Sequence, residues 1–563
     1  MDARRVRWWG LGASAAAVAA VHARALGNAP LLDDLPLATK NPFLRGLGGL
    51  AALWTHDLFA ASGKGEPSEY YRPVGTTSLW LNRLAGGSAT AFHAGNVALH
   101  VATFVLLAWL AERLLSTRRE GPPGLAATGG ALLFALAPLA TEAVAWIAGR
   151  FDLLATTLVV LTAALHARRG ARATALTVAS FAAALGTKEV AVVAPLLLLL
   201  EEALLLGGVR RASLPRYAAM IAVVGAYAAL RAALGIHAPP LGVPLGTLVA
   251  GGAGVAARFL RLAVAPTDLD PFAEWSPPSL ALVGAQLALL VALTLAALAL
   301  VRRRPASRPA RLACFGWLWL LVALVPAAPV WPALGSVGDR YAYLPLVGLA
   351  LVAAAAIDAV ASRSLAALQA SVALVALASA AEALGTVRRL GDWRDAPTLF
   401  AASVAAHPGG CYAPSQLGSL AAEANRLDEA DEWLARARAA CPRDWRTLTA
   451  TCFLRLRQGR DDEAEVTCRE ATARNPTNPR AWANLATAYV HRSAWPPALA
   501  AAERALEVKP RYAEAHFLAA LAAANLGDLP NAAAQVGAAL AIDPAHRGAN
   551  DLAAQLRRRG VAF

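Results

Sequence analysis

The feature that most constrains this chain is a series of long apolar segments that continues to about residue 386. Each is about as long as a bilayer is thick, and most are separated by short stretches rich in arginine. Inside a membrane the backbone must satisfy its own hydrogen bonds, so such segments fold as helices. Eleven spans are predicted, at 6–28, 89–115, 124–148, 152–167, 171–187, 190–208, 216–234, 279–301, 312–330, 342–361 and 365–386.

Two apolar segments allow a second interpretation. The stretch "WWGLGASAAAVAAV", which follows Arg7, has the form of a signal peptide as well as of a first span. We predict a span, because the rest of the chain is a membrane protein that can use this segment as its first span. The segment 242–278 contains many glycines together with Arg258 and Arg261. We predict that it lies at, or dips into, the outer membrane interface.

The distribution of arginine sets the predicted orientation. With the N-terminus in the cytoplasm, 18 arginines fall in inner segments, whereas the short outer loops hold only Arg150, Lys188 and Arg340. The inner set is Arg4, Arg5, Arg7, Arg113, Arg118, Arg119, Arg168, Arg169, Arg172, Arg210, Arg211, Arg216, Arg302, Arg303, Arg304, Arg308, Arg311 and Arg363. The region after the last span is therefore predicted outside the cytoplasm. The net charge of +14 follows from this pattern, and no nucleic-acid partner is predicted.

The region from residue 387 is organised differently, as a repeat. Prolines recur every 34 residues, and 34 is the period of tetratricopeptide (TPR) helix pairs. These are Pro408, Pro442, Pro476, Pro510 and Pro544. We predict an all-α chain with two domains: a transmembrane domain over 1–386, and a TPR α-solenoid over 387–563 with about four repeats and a leading half repeat.

The first outer loop, 29–88, carries the pair Asp33 and Asp34 in a chain with few acids. Two acids at this place can cap a helix that follows Pro36, or serve as chemical groups. The same loop holds "EYYRPVGTTSLWLNRL", in which Tyr71 and Arg72 adjoin Pro73. We expect an ordered surface at the membrane.

Further polar side chains are predicted on the same outer side. Ionisable groups at membrane depth are costly and indicate function, although helix–helix hydrogen bonds explain some of them equally well. The set comprises His93, Asn96, His100, Glu142, Arg150, Asp152, Lys188, Glu189, Asp339 and Arg340. Cations next to carboxylates suit a transfer from an anionic lipid-linked substrate, because the cations hold the phosphate and a carboxylate takes the acceptor proton.

Several long motifs resemble the TMTC-type proteins, which are transmembrane and TPR-repeat protein O-mannosyltransferases of the GT-C glycosyltransferase superfamily. They are "LLDD" with "KNPF", "YYRPVGTTSLWLNRLAGGSATAFHAGNVALH", "LLFALAPLATEAVAWIAGRFDLLA", "LGTKEVAVVAPLLLLLE" and "GDRYAYLPLVG", followed by the TPR array. One departure is Ala137, where the family usually has histidine before proline. A scarcity of lysine, with four against 48 arginines, indicates a GC-rich genome and hence a bacterial member.

The resemblance implies a GT-C fold that takes sugar from a polyprenyl-phosphate donor on the outer face, usually with inversion. It makes Asp33 the better candidate for the base, with Asp34 orienting it or the acceptor. Arg72, Arg150, Lys188 and Arg340 are the candidates for the donor phosphate. Metal use is left open.

The predicted activity is therefore transfer of mannose or a related sugar to protein Ser/Thr hydroxyls, with the TPR array holding the acceptor polypeptide. A lipid or cell-surface glycan as acceptor, and a non-enzymatic TPR scaffold, remain alternatives. The predicted location is a bacterial inner membrane, with the TPR domain in the periplasm. In an oxidising compartment the repeat register predicts disulfides Cys411–Cys441 and Cys452–Cys468, against the alternative of four buried thiols.

Overall fold

The computed structural model describes residues 3–62, 68–116, 124–168, 170–237 and 242–561. Three of the predicted inner arginines, Arg118, Arg119 and Arg169, lie outside the described residues, as does 63–67 of the first loop. The chain divides into two compact units, one of Met1–Leu58 with Glu69–Leu399 and one of Phe59–Ser68 with Phe400–Phe563. The division thus falls within helix Ala396–Ala406.

The first unit is a helical bundle. Its α-helices are Ala3–His22, Gly46–Thr55, Pro73–Leu84, Ala89–Leu115, Leu125–Ala135, Thr141–Ala145, Arg150–His166, Ala171–Leu185, Ala194–Leu205, Leu214–Ala233, Leu245–Val264, Leu280–Arg303, Arg308–Leu324, Val330–Leu334, Tyr343–Ala361 and Leu365–Asp392. Four of the long helices begin at a serine whose hydroxyl accepts a hydrogen bond from a backbone amide of the first turn. These caps are Ser88, Ser279, Ser307 and Ser364.

Within the described residues, eight helices are long and apolar enough to cross a membrane, or nine if one bent pair counts as a single span. The bent pair is Leu125–Ala135 with Pro138–Ala145, which meet at 56°. The sequence predicts one continuous span there, at 124–148. Pro138 lacks a backbone N–H and Pro residues break helices in this way, so the predicted span is broken.

Contacts between distant segments define the two ends of the bundle. At one end, Arg7 pairs with Glu112, and Arg308 donates to the Ser116 carbonyl. At the other end, the Ala29 amide donates to the Arg394 carbonyl, and Arg24 donates to the Val387 carbonyl. We call the latter end the first-loop side, because the loop 29–88 lies there, and the former the opposite side.

Helix Leu245–Val264 has the length and composition of a span, but its connections return to one side. Before it, Arg231 at the end of the preceding helix donates to the Glu69 carbonyl of the first loop. After it, strand Ala273–Glu274 pairs antiparallel with Ser336–Val337, next to Asp339. Both flanks of this helix are therefore on the first-loop side.

Small residues let the spans pack closely. A Cβ atom on Gly316 would lie 2.5 Å from the Gly348 carbonyl oxygen, and one on Gly130 would lie 2.5 Å from the Ala350 carbonyl oxygen. Membrane helices lack a hydrophobic drive to associate, so close backbone approach of this kind supplies much of the packing.

The second unit is a stack of antiparallel helix pairs. The pairs are Tyr412–Glu423 with Leu427–Ala440, Trp445–Arg457 with Asp461–Arg474, Pro479–His491 with Trp495–Val508, and Ala513–Asn525 with Leu529–Ile542, followed by Arg547–Arg558. Buried alanines line the contacts, and the five periodic prolines follow a second helix or the leading helix Ala396–Ala406. This is the predicted TPR solenoid. Cys411 is bonded to Cys441 and Cys452 to Cys468, with Cα–Cα distances of 5.8 and 5.3 Å.

Candidate active site

The two acids of the first loop lie in a tight turn held against the link between helices Thr141–Ala145 and Arg150–His166. Leu32, just before them, has a positive φ of 52°, a conformation that costs energy for a branched side chain. Trp146 Nε1 donates to the Leu31 carbonyl at 3.2 Å and so fixes the start of the turn. The acids are thus presented by a constrained backbone.

Asp34 is the anchored member of the pair. It is 1% exposed, and its two oxygens accept from the amides of Leu31 at 2.9 Å and Ala148 at 2.8 Å. Burial raises the pKa of Asp34 to about 7, although these backbone hydrogen bonds and one from Ile147 oppose the change. Asp34 therefore ties the first loop to the start of the helix that carries Arg150 and Asp152.

Asp33 differs from its neighbour in accessibility. It is half-buried, and its backbone carbonyl accepts from the Leu37 amide as the π-helix Leu35–Thr39 begins. Asp33 is thus less enclosed than Asp34, whose oxygens are buried.

Next to this turn, the structure brings together six predicted residues as three ion pairs. Lys188 Nζ lies 2.6 Å from Asp152 Oδ1, Arg72 Nη2 lies 2.9 Å from Glu189 Oε2, and Arg340 contacts Glu142. Burial opposes ionisation of Glu189, but Arg72 and Lys188 outweigh it and hold the pKa of that carboxyl below its usual value. Residues from segments far apart in sequence thus form one group of charges.

Aromatic rings join these pairs to each other and to the acids. Lys188 Nζ and Arg340 Cζ each lie 4.9 Å from the centre of the Tyr341 ring. Arg340 Cζ also lies 4.9 Å from the Trp146 ring, whose indole N–H holds the acid turn. Such cation–π contacts stabilise cations away from bulk water. Arg340 has 23% of its side chain exposed, more than Lys188 or Arg72.

Arg150 lies in a separate, neutral network. Its guanidinium donates to the side chains of Asn96 and Asn82 and to the Phe92 carbonyl, and the residue is 2% exposed. Asn96 in turn donates to the Trp146 carbonyl at 2.7 Å. In this arrangement Arg150 holds helices together behind the acid turn.

The two histidines of the second span have different surroundings. His100 is buried, with Nδ1 2.7 Å from the Tyr343 hydroxyl and Nε2 2.8 Å from the Ala135 carbonyl oxygen. His93 is also buried, and neither of its ring nitrogens has a hydrogen-bond partner within the described chain. His100 is thus part of the helix packing. Ala137, the departure from the family pattern, is buried at the break of the bent pair.

Asp339 forms a second group of charges. Its carboxylate lies 3.1 Å from Arg258 and 3.7 Å from Arg389, and all three side chains are less than a tenth exposed. Nearby, hydrogen bonds from Arg261 lower the pKa of Asp268 to about 2. This group connects helices Leu245–Val264 and Leu365–Asp392 to the start of Tyr343–Ala361.

Sequence reasoning missed the residues that make room for the site. A Cβ atom on Gly338 would clash with Arg340 and Glu142, and one on Gly95 would clash with Asn82 and Arg150. Tyr341 was also missed, although it stands inside the quoted "GDRYAYLP". The signal available in the sequence for these residues was a glycine or an aromatic residue next to a charged one.

Tyr71 anchors the first loop. Its hydroxyl donates to the Trp54 carbonyl, and its own backbone carbonyl accepts from the Tyr227 hydroxyl.

Comparison with curated proteins confirms the resemblance to TMTC-type proteins over about a quarter of the chain. The Caenorhabditis elegans protein O-mannosyl-transferase F38B6.6 is 30% identical over 145 residues, which are 25% of this chain and 21% of that protein. The human protein O-mannosyl-transferase TMTC1 is 35% identical over 144 residues, 25% of this chain and 16% of that protein. The matched segment is thus about a fifth or less of these relatives. No family model matches.

Solved structures that are similar include TPR proteins. The Thermus thermophilus protein TTC0263 is 26% identical, with 26% of this chain and 81% of that chain covered and a TM-score of 0.25. YrrB, described as a TPR protein with an unusual peptide-binding site, is 20% identical, with 29% and 83% covered and a TM-score of 0.25.

Proposed function

We propose that this protein is a membrane glycosyltransferase that moves mannose or a related sugar from a polyprenyl-phosphate donor to a protein hydroxyl. The observation that carries the proposal is the half-buried Asp33 next to the enclosed and anchored Asp34, beside a group of cations on the first-loop side. The named O-mannosyltransferase relatives support the reaction class.

In this mechanism Asp33 is the general base. Its carboxylate takes the proton from the acceptor hydroxyl as the new bond to the sugar forms, and the carbon–oxygen bond to the phosphate breaks. Asp34 keeps the turn in place through its two amide contacts. A protein hydroxyl is a weak nucleophile at neutral pH, so removal of its proton in the transition state is worth roughly 10²- to 10⁴-fold in rate.

The leaving phosphate requires positive charge. Arg340 is the most exposed of the three paired cations, and it shares the Tyr341 ring with Lys188. We assign Arg340 as the first contact of the donor phosphate, with Lys188 and Arg72 completing the cationic surface. Each cation is paired with a carboxylate, so donor binding exchanges part of these contacts for contacts to phosphate oxygens.

The test is turnover of synthetic polyprenyl-phosphate mannose by purified protein. We expect Asp33→Asn to lower turnover by roughly 10²- to 10⁴-fold without changing expression or membrane insertion, because asparagine keeps the shape and loses the basicity. Turnover of Asp33→Asn at the wild-type rate would remove this residue as the base. Product analysis with peptide, lipid and glycan acceptors decides the acceptor class, and a lipid or glycan product would replace the protein acceptor.

We also propose that the first-loop side and the TPR unit are extracytoplasmic, in a bacterial inner membrane, where the TPR unit holds the acceptor polypeptide. The arginines on the opposite side support this orientation. A reporter that is active only in the cytoplasm, fused after residue 563, should be inactive. The same reporter fused after Arg304 should be active, and strong activity at the first position would invert the topology.

A further inference from the structure

On the opposite side of the bundle lies a half-open cavity of about 880 Å³, lined by residues of helices Arg150–His166, Ala171–Leu185, Ala194–Leu205 and Leu214–Ala233 and of the segments that connect them. Arg150–His166 and Ala194–Leu205 run from the candidate active site to this cavity. Over the 16 residues from Arg150 to His166, the helical rise separates the two places by about 24 Å. The cavity is therefore distinct from the site described above.

The polar end of the cavity carries more positive than negative charge. Arg168, Arg210 and Arg216 line it, and Glu202 is the acid among the described lining residues. The Glu202 carboxylate is already engaged by His166 Nε2 at 3.1 Å and by the Ser213 hydroxyl. Two guanidinium charges are thus in excess at this end.

Arg216 is fixed in place at the same end of the cavity. It is 6% exposed, and its terminal nitrogens donate to His166 and to Thr174 Oγ1. Its guanidinium therefore adds a positioned positive charge to this end. Arg168 is exposed, and its guanidinium makes no hydrogen bond within the described chain.

The rest of the cavity is apolar and extends along a membrane helix. Its wall follows helix Ala171–Leu185 from Ala171 to Ala182, about 16 Å at the helical rise, or half of a hydrocarbon core. Leu176 on this helix and Ile221 on Leu214–Ala233 are exposed on surfaces that face lipid. A ligand with a charged head and an apolar chain fits this shape, whereas a soluble anion uses the polar end alone.

We propose that this cavity binds an anionic phospholipid, with the phosphate at Arg168, Arg210 and Arg216 and one acyl chain along Ala171–Leu185. The cationic end and the apolar wall are parts of one continuous cavity. The proposal does not depend on which sugar or acceptor the protein uses.

The test titrates delipidated full-length protein with dioleoyl phosphatidylglycerol and reads bound lipid by native mass spectrometry. We expect saturable binding that weakens about tenfold in the Arg168→Gln, Arg210→Gln double variant, because each charge-assisted contact is lost. Arg303→Gln, an exposed arginine on the same side, is the matched control and should bind as the wild type does. Equal affinity of the double variant and this control would overturn the proposal.

Two further arms separate a lipid from a free phosphate and from chain binding alone. Ala179→Phe should fill the apolar wall and weaken phosphatidylglycerol binding, whereas Leu176→Phe, outside the cavity, should not. Dioleoylglycerol, which lacks the phosphate, should not bind saturably. Displacement by millimolar inorganic phosphate with full binding by Ala179→Phe would assign the site to a soluble anion, and tight dioleoylglycerol binding would assign it to the chain. Either result would overturn the proposal.

Discussion

The two units of this protein use charge in opposite ways. In the membrane unit, the ion pairs of the candidate site and those of Asp339 join segments far apart in sequence, such as Arg340 with Glu142, and most of their side chains are buried. In the TPR unit, many pairs lie one turn apart on exposed surface, such as Arg426 with Glu429. Exposed pairs contribute at most about 1 kcal/mol each, whereas removing one partner of a buried pair is costly.

The difference follows from how each unit is built. A TPR pair buries small residues at fixed spacing against its neighbour, so its charged residues are left on the outside. The membrane unit has few charges, and those at its first-loop side are enclosed by helices from the whole bundle. An enclosed charge of this kind is tolerated only if an opposite charge compensates it, so the stability of the unit depends on the position and the partner of each charged residue.

The largest expected contrast compares Asp339→Asn with Glu429→Gln. Asp339→Asn removes the buried carboxylate that Arg258 and Arg389 share. It leaves them with the more exposed Asp268 and Asp392, and should lower the free energy of unfolding by about 3–4 kcal/mol, toward the low end for breaking a buried pair. Glu429→Gln breaks an exposed pair and should cost less than about 1 kcal/mol. Unfolding in mixed detergent micelles measures both. Equal costs would remove the contrast between the units, and a loss of turnover by folded Asp339→Asn would give this residue a chemical role.

The same contrast explains what the sequence could predict. The prolines at 34-residue spacing and the small residues between helices indicated the TPR pairs, because TPR contacts are local and periodic. Hydropathy indicated most of the candidate spans of the described residues, but the predicted spans at 6–28, 171–187 and 190–208 are not among them, whereas Leu245–Val264 is. The broken span at Pro138 was missed because hydropathy does not register a bend. The domain limits at residue 386 and the roles of the site residues stay predictions.

The sequence predicted which charged residues belong to the candidate site, but not how these residues pair with one another. Arg72, Asp152, Lys188 and Glu189 could be placed on one side from charge and span order. Which cation faces which acid depends on helix packing between distant segments, and so does the separation of Arg150 into a neutral network. Tyr341, whose ring contacts both Lys188 and Arg340, carries no charge and so could not be found by a search for charged residues.

A second prediction concerns cross-links, which the TPR unit has and the described membrane unit lacks. Cys411–Cys441 closes a loop with a sequence separation of 30, so its removal by the paired Cys→Ser changes should destabilise the TPR unit by about 2–4 kcal/mol. Reductant should shift wild-type unfolding of this unit at least as far, because it also opens Cys452–Cys468. Cys314 is the free cysteine of the described chain, so the membrane unit should not respond. Four free thiols in protein from its native compartment would contradict the prediction.

The smallest expected effect tests whether the enclosed Asp34 differs from exposed acids in its titration. Burial raises its pKa to about 7, so the folded state keeps a proton that the unfolded state releases near pH 4. Its contribution to stability is therefore complete below pH 4 and is lost as the pH rises through 7. Between pH 6 and 8 the loss is about 1.4 kcal/mol by proton linkage, for one group with these two pKa values.

Asp34→Asn cannot titrate, so the difference in stability between wild type and this variant should change by that amount from pH 6 to pH 8, in favour of the variant. The matched control is Glu429→Gln, whose difference from wild type should stay constant over the same range because its pair is exposed. The unfolding free energy is measured at pH 6, 7 and 8 in one detergent. If the difference in stability between wild type and Asp34→Asn is as constant with pH as that of the control, Asp34 stays ionised over this range. Its two backbone hydrogen bonds would then outweigh burial, and the first loop would be held by a permanent charge.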